Sequence, residues 1–365
     1  MTGRERFLTA IANGKPDRLP CQVHNWMQYY LDTYLNGMDV FEAYEYFDMD
    51  PVIYACGAFE FNPHDISNWQ FKQTKLGMDK DGNDHWVNEW TTPEGVLRTK
   101  GATNKFTSWE TEPLIKTEAD FELFRKYYPV PVGIDWSPIL EIKKRIGDRG
   151  IVRGYMYNYG QLSPWQSICC LLGTEESIFK AIDEPDWMHY ALGVIEEKYI
   201  GAAKNCKSIE LDLVETGGGA GSSTVISPDM HKEFCLPYDK RYHDVLHELG
   251  AKVVYHLCGG NMPLLEMVAD NGTDMFETMT PPSMGGDCRM REAKERVGKR
   301  IGFIGGFDQN AGFERGNPEN VREQVQKLHE ANKEGGYICS PSDHFFFGNP
   351  ENVRAFADEC KKCKY

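Results

Sequence analysis

The sequence predicts an α/β fold, a (β/α)8 TIM barrel with a β-rich N-terminal excursion, and three observations carry that reading. From about residue 135 onward, short β-branched runs alternate with longer stretches of helical apolar spacing, the rhythm of successive βαβ units. The chain has 365 residues, 41% hydrophobic and 26% charged, enough to bury a barrel core as one unit. Residues from about 50 to 112 break the rhythm, being rich in Trp, Asn, Asp and Gly. The chain therefore reads as a single barrel domain over 1–365 with an excursion at about 50–112. A three-layer sandwich is the competing architecture.

In chain order, the excursion comes first. Its hairpin signals are Asp81-Gly82 and Glu94-Gly95. The stretch "DKDGND" resembles a calcium loop, but its spacing is wrong and no bidentate Glu closes it, so a hairpin turn is the reading. Strands are then expected to end near "GIVRGYM" (150–156), "SIELDLVE" (208–215), "AKVVYHL" (251–257), "TDMFE" (273–277), "RIGFIGG" (300–306) and "GYICS" (336–340). Helices lie between them, such as "SPDMHKEFCLPYDKRYHDVLHELG", with a Ser-Pro start and Gly250 at its close. "GNPENVR" occurs at 316–322 and 348–354, and in both copies Asn caps a helix that begins with Pro and Glu.

A formal net charge of −15 repels phosphate backbones and anionic lipid surfaces, which excludes general nucleic-acid or membrane binding. No long apolar run occurs and the start is charged, so the expectation is a soluble cytoplasmic protein acting on a small molecule. Eleven cysteines, an odd number, point to reduced thiols rather than a disulfide framework. Of these, Cys169-Cys170 reads as core packing and Cys360-x-x-Cys363 as a frayed helix end. Trp26, Trp69, Trp86, Trp90 and Trp109 either line an apolar pocket or pack the excursion. GxGxxG, GxSxG and P-loop patterns are absent.

The chemistry concentrates in "VVYHLCGG" (253–260). His256 and Cys258 are two apart at a strand end, so they project to the same side, and Gly259-Gly260 turns the chain away. Strand ends of a barrel converge on one face, where Cys339 of "GYICS" offers a third soft ligand for a zinc site with an open position. The opposing reading is a buried cysteine and a hydrogen-bonded histidine without metal. Glu215, before "TGGGAGSS", reads as a fourth ligand, a substrate contact or a charged loop residue, and Glu277 occupies a similar strand end. Asp308 and Asp343-His344 are further strand-end polar groups.

The opening "RERFLTAIANGKPDRLP", the block from "SPDMHKEF" to "YHLCGG", "IGFIGGFDQ" and the "NPENVR" helices resemble the uroporphyrinogen decarboxylase superfamily, a family of (β/α)8 barrels. Within it, zinc-dependent corrinoid (methylcobamide) methyltransferases carry His-x-Cys followed some eighty residues later by Cys, which His256, Cys258 and Cys339 match. The resemblance implies zinc-dependent methyl transfer between a small methylated substrate or thiol and a corrinoid (cobalamin) held on a separate carrier protein. It also implies that Glu215 or Glu277 positions substrate or supplies a proton. Decarboxylation is the alternative within the superfamily. That branch carries an "MRQAGRY"-like segment, whereas "CQVHNWMQYYLDTY" here has no arginine. A non-catalytic zinc-stabilised binding protein is the alternative from another class, and it predicts a closed four-ligand site.

Overall fold

Each β-branched run in the second half of the chain becomes a strand buried on both faces, as a parallel sheet covered by helices requires. The computed structural model describes residues 1–158 and 163–365. These divide into two compact units, the first comprising 1–57, 136–155 and 209–365, the second 58–135 and 156–208.

In the first unit, seven strands form one sheet in chain order: β1 (Val52–Tyr54), β2 (Ile151–Gly154), β3 (Leu213–Gly217), β4 (Val253–His256), β5 (Met275–Thr278), β6 (Gly302–Phe307) and β7 (Tyr337–Pro341). All neighbours are parallel. Beyond β7, Cys21 makes one parallel bridge to Cys339, flanked by bonds from the Gln22 amide to the Cys339 carbonyl and from the Cys339 amide to the Pro20 carbonyl. The expectation of a closed eight-stranded barrel is met in part. Among the described residues, the ladder holds seven strands and one bridged segment, without a pairing that joins its two edges.

The sheet is nevertheless strongly curled. Arg153 on β2 and Gln22 beside β7 each stand three strand places from β5, roughly 14 Å in a flat sheet. Both nevertheless bond Glu277 of β5, at 2.8 and 3.2 Å. Only a concave face brings both flanks to one carboxylate.

Register decides which side chains reach that face. His256 pairs with Glu277, Glu277 with Ile304 and Ile304 with Ile338, so these four point the same way. Arg153 pairs with Leu213, which places Glu215 on the same side, facing Val254 of β4. Cys339 pairs with Gly305, itself the partner of Thr278, and belongs to the opposite face. Two glycines permit the close strand contacts. At Gly217 (φ +94) a Cβ would lie 2.3 Å from the His256 carbonyl oxygen, and at Gly305 (φ +113) it would lie 1.8 Å from that of Thr278.

Helices Pro318–Ala331 and Pro350–Lys362 begin as the repeated motif predicts, with Asn317 and Asn349 accepting from first-turn amides. The frayed C-terminal end is corrected: Cys360 is fully buried and Cys363 nearly so, because that end packs against the outer face of the sheet's last strand region. Among the described residues, no helix is long and apolar enough to cross a membrane.

The second unit holds a four-stranded antiparallel sheet, Gln70–Met78, Asp84–Thr92, Gly95–Thr103 and Ser108–Glu112, in that order. Asp79 organises its first turn by accepting from the Asp81 and Asn83 amides, so "DKDGND" is a hairpin turn. Strands Ala58–Glu60 and Gly133–Asp135 pair antiparallel, and the described helices of the unit are Pro63–Ser67, Glu118–Tyr127, Pro164–Leu172, Thr174–Asp183 and Pro185–Asn205. The expected start of the excursion at about 50 falls too early, since Val52–Tyr54 is the first strand of the main sheet.

Candidate functional site

Arg153 lies within β2 with its side chain completely buried. A buried guanidinium needs full compensation, and it finds two carboxylates. Its Nη1 donates to Glu277 Oε1 (2.8 Å) and its Nη2 to Glu277 Oε2; Nη2 and Nε also donate to Glu215 Oε2, at 2.6 and 3.1 Å. Tyr54 lies with its ring 4.8 Å from the guanidinium and donates its hydroxyl to the same Glu215 oxygen at 3.0 Å. Burial pushes both carboxyl groups up, and the Arg153 charge more than offsets it, leaving Glu277 well below the usual carboxylate range and Glu215 below it.

The two glutamates differ in what remains free. Glu277 is fully buried, and its oxygens also face Gln22 Nε2 (3.2 Å), His256 Nδ1 (3.0 Å) and His24 Nδ1 (3.5 Å). Glu215 retains 11% exposure, and among the described residues its Oε1 has only the distant His256 Nδ1, at 3.9 Å.

His256 is oriented from both sides. Nδ1 donates to Glu277, since a carboxylate only accepts, and Nε2 lies 2.9 Å from Cys258 Sγ. Burial lowers the pKa of this imidazole, while the Cys258 sulfur and the two carboxylates raise it well above its usual value. The His256–Cys258 pair therefore favours a positive charge between its two soft donors, whether a proton or a metal cation.

His24 completes the cluster. It is 5% exposed, its ring centroid is 4.9 Å from that of His256, and burial keeps it neutral by lowering its pKa. Among the described residues its Nδ1, 3.5 Å from Glu277 Oε1, makes no hydrogen bond. Donor atoms of His24, His256 and Glu277 all lie within 4.8 Å of one another, a geometry able to seat a cation. His344 packs on His24 at 4.9 Å and pairs with Asp343 at 3.2 Å.

The structure thus brings together four of the five residues singled out in the sequence, His256, Cys258, Glu215 and Glu277. It does not bring Cys339 to them. Cys339 is fully buried on the other face, beside Cys21 and Cys360. The i, i+2 rule fixed the shared side of His256 and Cys258, but it carries no information about which face a residue on another strand takes. Asp308 instead caps the following turn, accepting from the Ala311 amide (2.8 Å) and the Ser283 hydroxyl (2.6 Å). Sequence reasoning missed Gln22, His24, Tyr54 and Arg153. For Arg153 a signal existed, because an arginine inside the buried run "GIVRGYM" demands acidic partners.

Comparison with known proteins places this geometry in context. The family model for uroporphyrinogen decarboxylase (URO-D) matches residues 131–363. Among curated proteins, a methylated-thiol–coenzyme M methyltransferase of Methanosarcina mazei is 28% identical over 144 residues, covering 39% of this chain and 36% of that protein. A uroporphyrinogen decarboxylase of Xanthomonas oryzae pv. oryzae is 25% identical over 224 residues, covering 55% of this chain and 58% of that one. These matches span less than two thirds of either relative. Among solved structures, a methyltransferase from Methanosarcina mazei superposes with a TM-score of 0.69 over 99% of both chains at 14% identity, which shows a shared fold.

Proposed function

Starting from a chain that belongs to the uroporphyrinogen decarboxylase family, we propose that it is a zinc-dependent methyltransferase acting between a small methylated substrate or thiol and a corrinoid on a partner carrier protein. The observation that carries this reading is the placement of His256 Nε2 beside Cys258 Sγ at 2.9 Å, with the opposite ring nitrogen held by Glu277. A carboxylate on the far nitrogen is the usual support for a metal-binding imidazole.

The residues present fit a zinc ion. His256 Nε2 and Cys258 Sγ are the holding pair. Zinc bound there supplies Lewis acidity, lowering the pKa of a substrate thiol or polarising a methyl ether or thioether. Glu277, whose oxygens are filled by Arg153, Gln22 and His256, fixes the imidazole rather than exchanging protons with substrate. Glu215, partly exposed and with Oε1 free, is the carboxylate that orients substrate or moves its proton. Arg153 holds both glutamates ionised and in place.

The same arginine weighs against decarboxylation of a polycarboxylate. Among the described residues, it is the arginine that reaches the cluster, and both of its faces are already matched by glutamates.

The test is to load purified protein with zinc and incubate it with methylated or cobalt(I) cobalamin and a panel of thiols and methoxylated compounds, following the corrinoid spectrum. Turnover that depends on zinc and falls in Cys258→Ser is expected. A zinc-loaded protein inert toward the whole panel, with zinc enclosed by four protein ligands in X-ray absorption, would mean a binding protein instead.

A further inference from the structure

The second unit carries a groove that the barrel chemistry does not use. Its volume is ≈ 770 Å³, the size of a small-molecule site. Trp86 and Trp90 of the antiparallel sheet form one wall, Cys170 and Thr174 the other, and Glu110, which shares the face of Trp86 through their common partner Gly101, lies between.

The aromatic wall is fixed. Trp86 and Trp90 are four apart on one strand and share a face. Trp86 spends its indole N–H on Thr103 Oγ1 at 3.1 Å, and its ring lies flat over Gly101, where a Cβ would come within 2.2 Å of it. Trp90 is braced by Phe71 and Trp69, with ring centroids 5.2 and 6.1 Å away.

Glu110 differs from its neighbours. Arg98 pairs with Glu89, and Lys100 and Lys116 pair with Glu112. Glu110 is exposed at the groove and has neither ion pair nor hydrogen bond among the described residues. A carboxylate without a counter-charge, beside aromatic faces that are themselves electronegative, calls for a cation. A bare metal ion would find one carboxylate and no further hard ligands, whereas an alkylated ammonium has charge for Glu110 and apolar surface for the indoles.

We propose that this groove binds a small organic ammonium ion, its charge against Glu110 and its methyl groups on the faces of Trp86 and Trp90.

Choline and its uncharged isostere 3,3-dimethylbutan-1-ol, titrated into the full chain and followed by indole N–H shifts in NMR, test this. Choline should saturate and bind about tenfold more tightly than the alcohol. Glu110→Gln should remove that preference without lowering the melting temperature, and Trp86→Ala should weaken both probes. Equal binding of the two probes, an undiminished preference in Glu110→Gln, or no saturation with choline would overturn the proposal.

Discussion

Replacing Arg153 by methionine keeps the length of the side chain and removes its charge. The guanidinium is fully buried and donates to Glu215 and Glu277, so its loss strands two carboxylates away from water. Removing one partner of a single buried pair costs about 3–5 kcal/mol, and here one cation serves two anions, so that range is the expected minimum. With about 2–4 °C per kcal/mol for a unit of this size, the melting temperature at neutral pH should fall by roughly 6–20 °C. The pH dependence gives a sharper test. In the native protein, burial raises both carboxyl pKa values but Arg153 outweighs it, leaving them below their unfolded values. Their contribution to stability is therefore present above the unfolded pKa and lost as pH falls through the folded one. Without Arg153, burial prevails and the folded pKa values rise above the unfolded ones. Stability is then present below the unfolded pKa and lost as pH climbs through the raised values. Scanning calorimetry should accordingly show a larger deficit for Arg153→Met at pH 8 than at pH 5. A deficit under about 1 kcal/mol, or one equal at both pH values, would refute the account of Arg153 as the compensating charge.

Three further outcomes follow from the same geometry. Glu277→Gln should weaken zinc binding by about 10–100-fold in a chelator competition, because His256 loses the carboxylate that orients it; unchanged affinity would remove Glu277 from that role. Cys258→Ser should lower zinc content, whereas Cys339→Ser should retain it and lose only packing, and the reverse result would restore Cys339 to the metal site. Gly305→Ala should destabilise by about 3 kcal/mol or more in urea titrations, since its Cβ would collide with the Thr278 carbonyl at positive φ; a change below 1 kcal/mol would show that the strands can part there.

Much of the fold was legible because buried parallel strands announce themselves. The six strands expected to end near 156, 215, 257, 277, 306 and 340 are all present, at most a few residues displaced. What periodicity could not give was β1, three residues long and hidden at the edge of an aromatic-rich stretch, or the Cys21 bridge, which has no strand of its own. The site divides in the same way. His256 and Cys258 were readable because two residues on one strand obey a local rule, and Glu215 and Glu277 because strand ends converge. Cys339 was misplaced because "GYICS" is buried on both faces, so nothing in its composition distinguishes the concave side, where Ile338 and Ser340 point, from the outer one. His24 and Gln22 come from a loop without periodicity, and only the bridge to β7 delivers them.

Glu277 is fastened to Gln22 from one flank of the curled sheet and to Arg153 from the other. The group that steadies the chemistry is therefore also a clasp that keeps the sheet curled. Loss of turnover on replacing it has two indistinguishable origins unless folding is measured alongside. Any redesign of this centre for new chemistry has to supply another clasp before it changes the ligands.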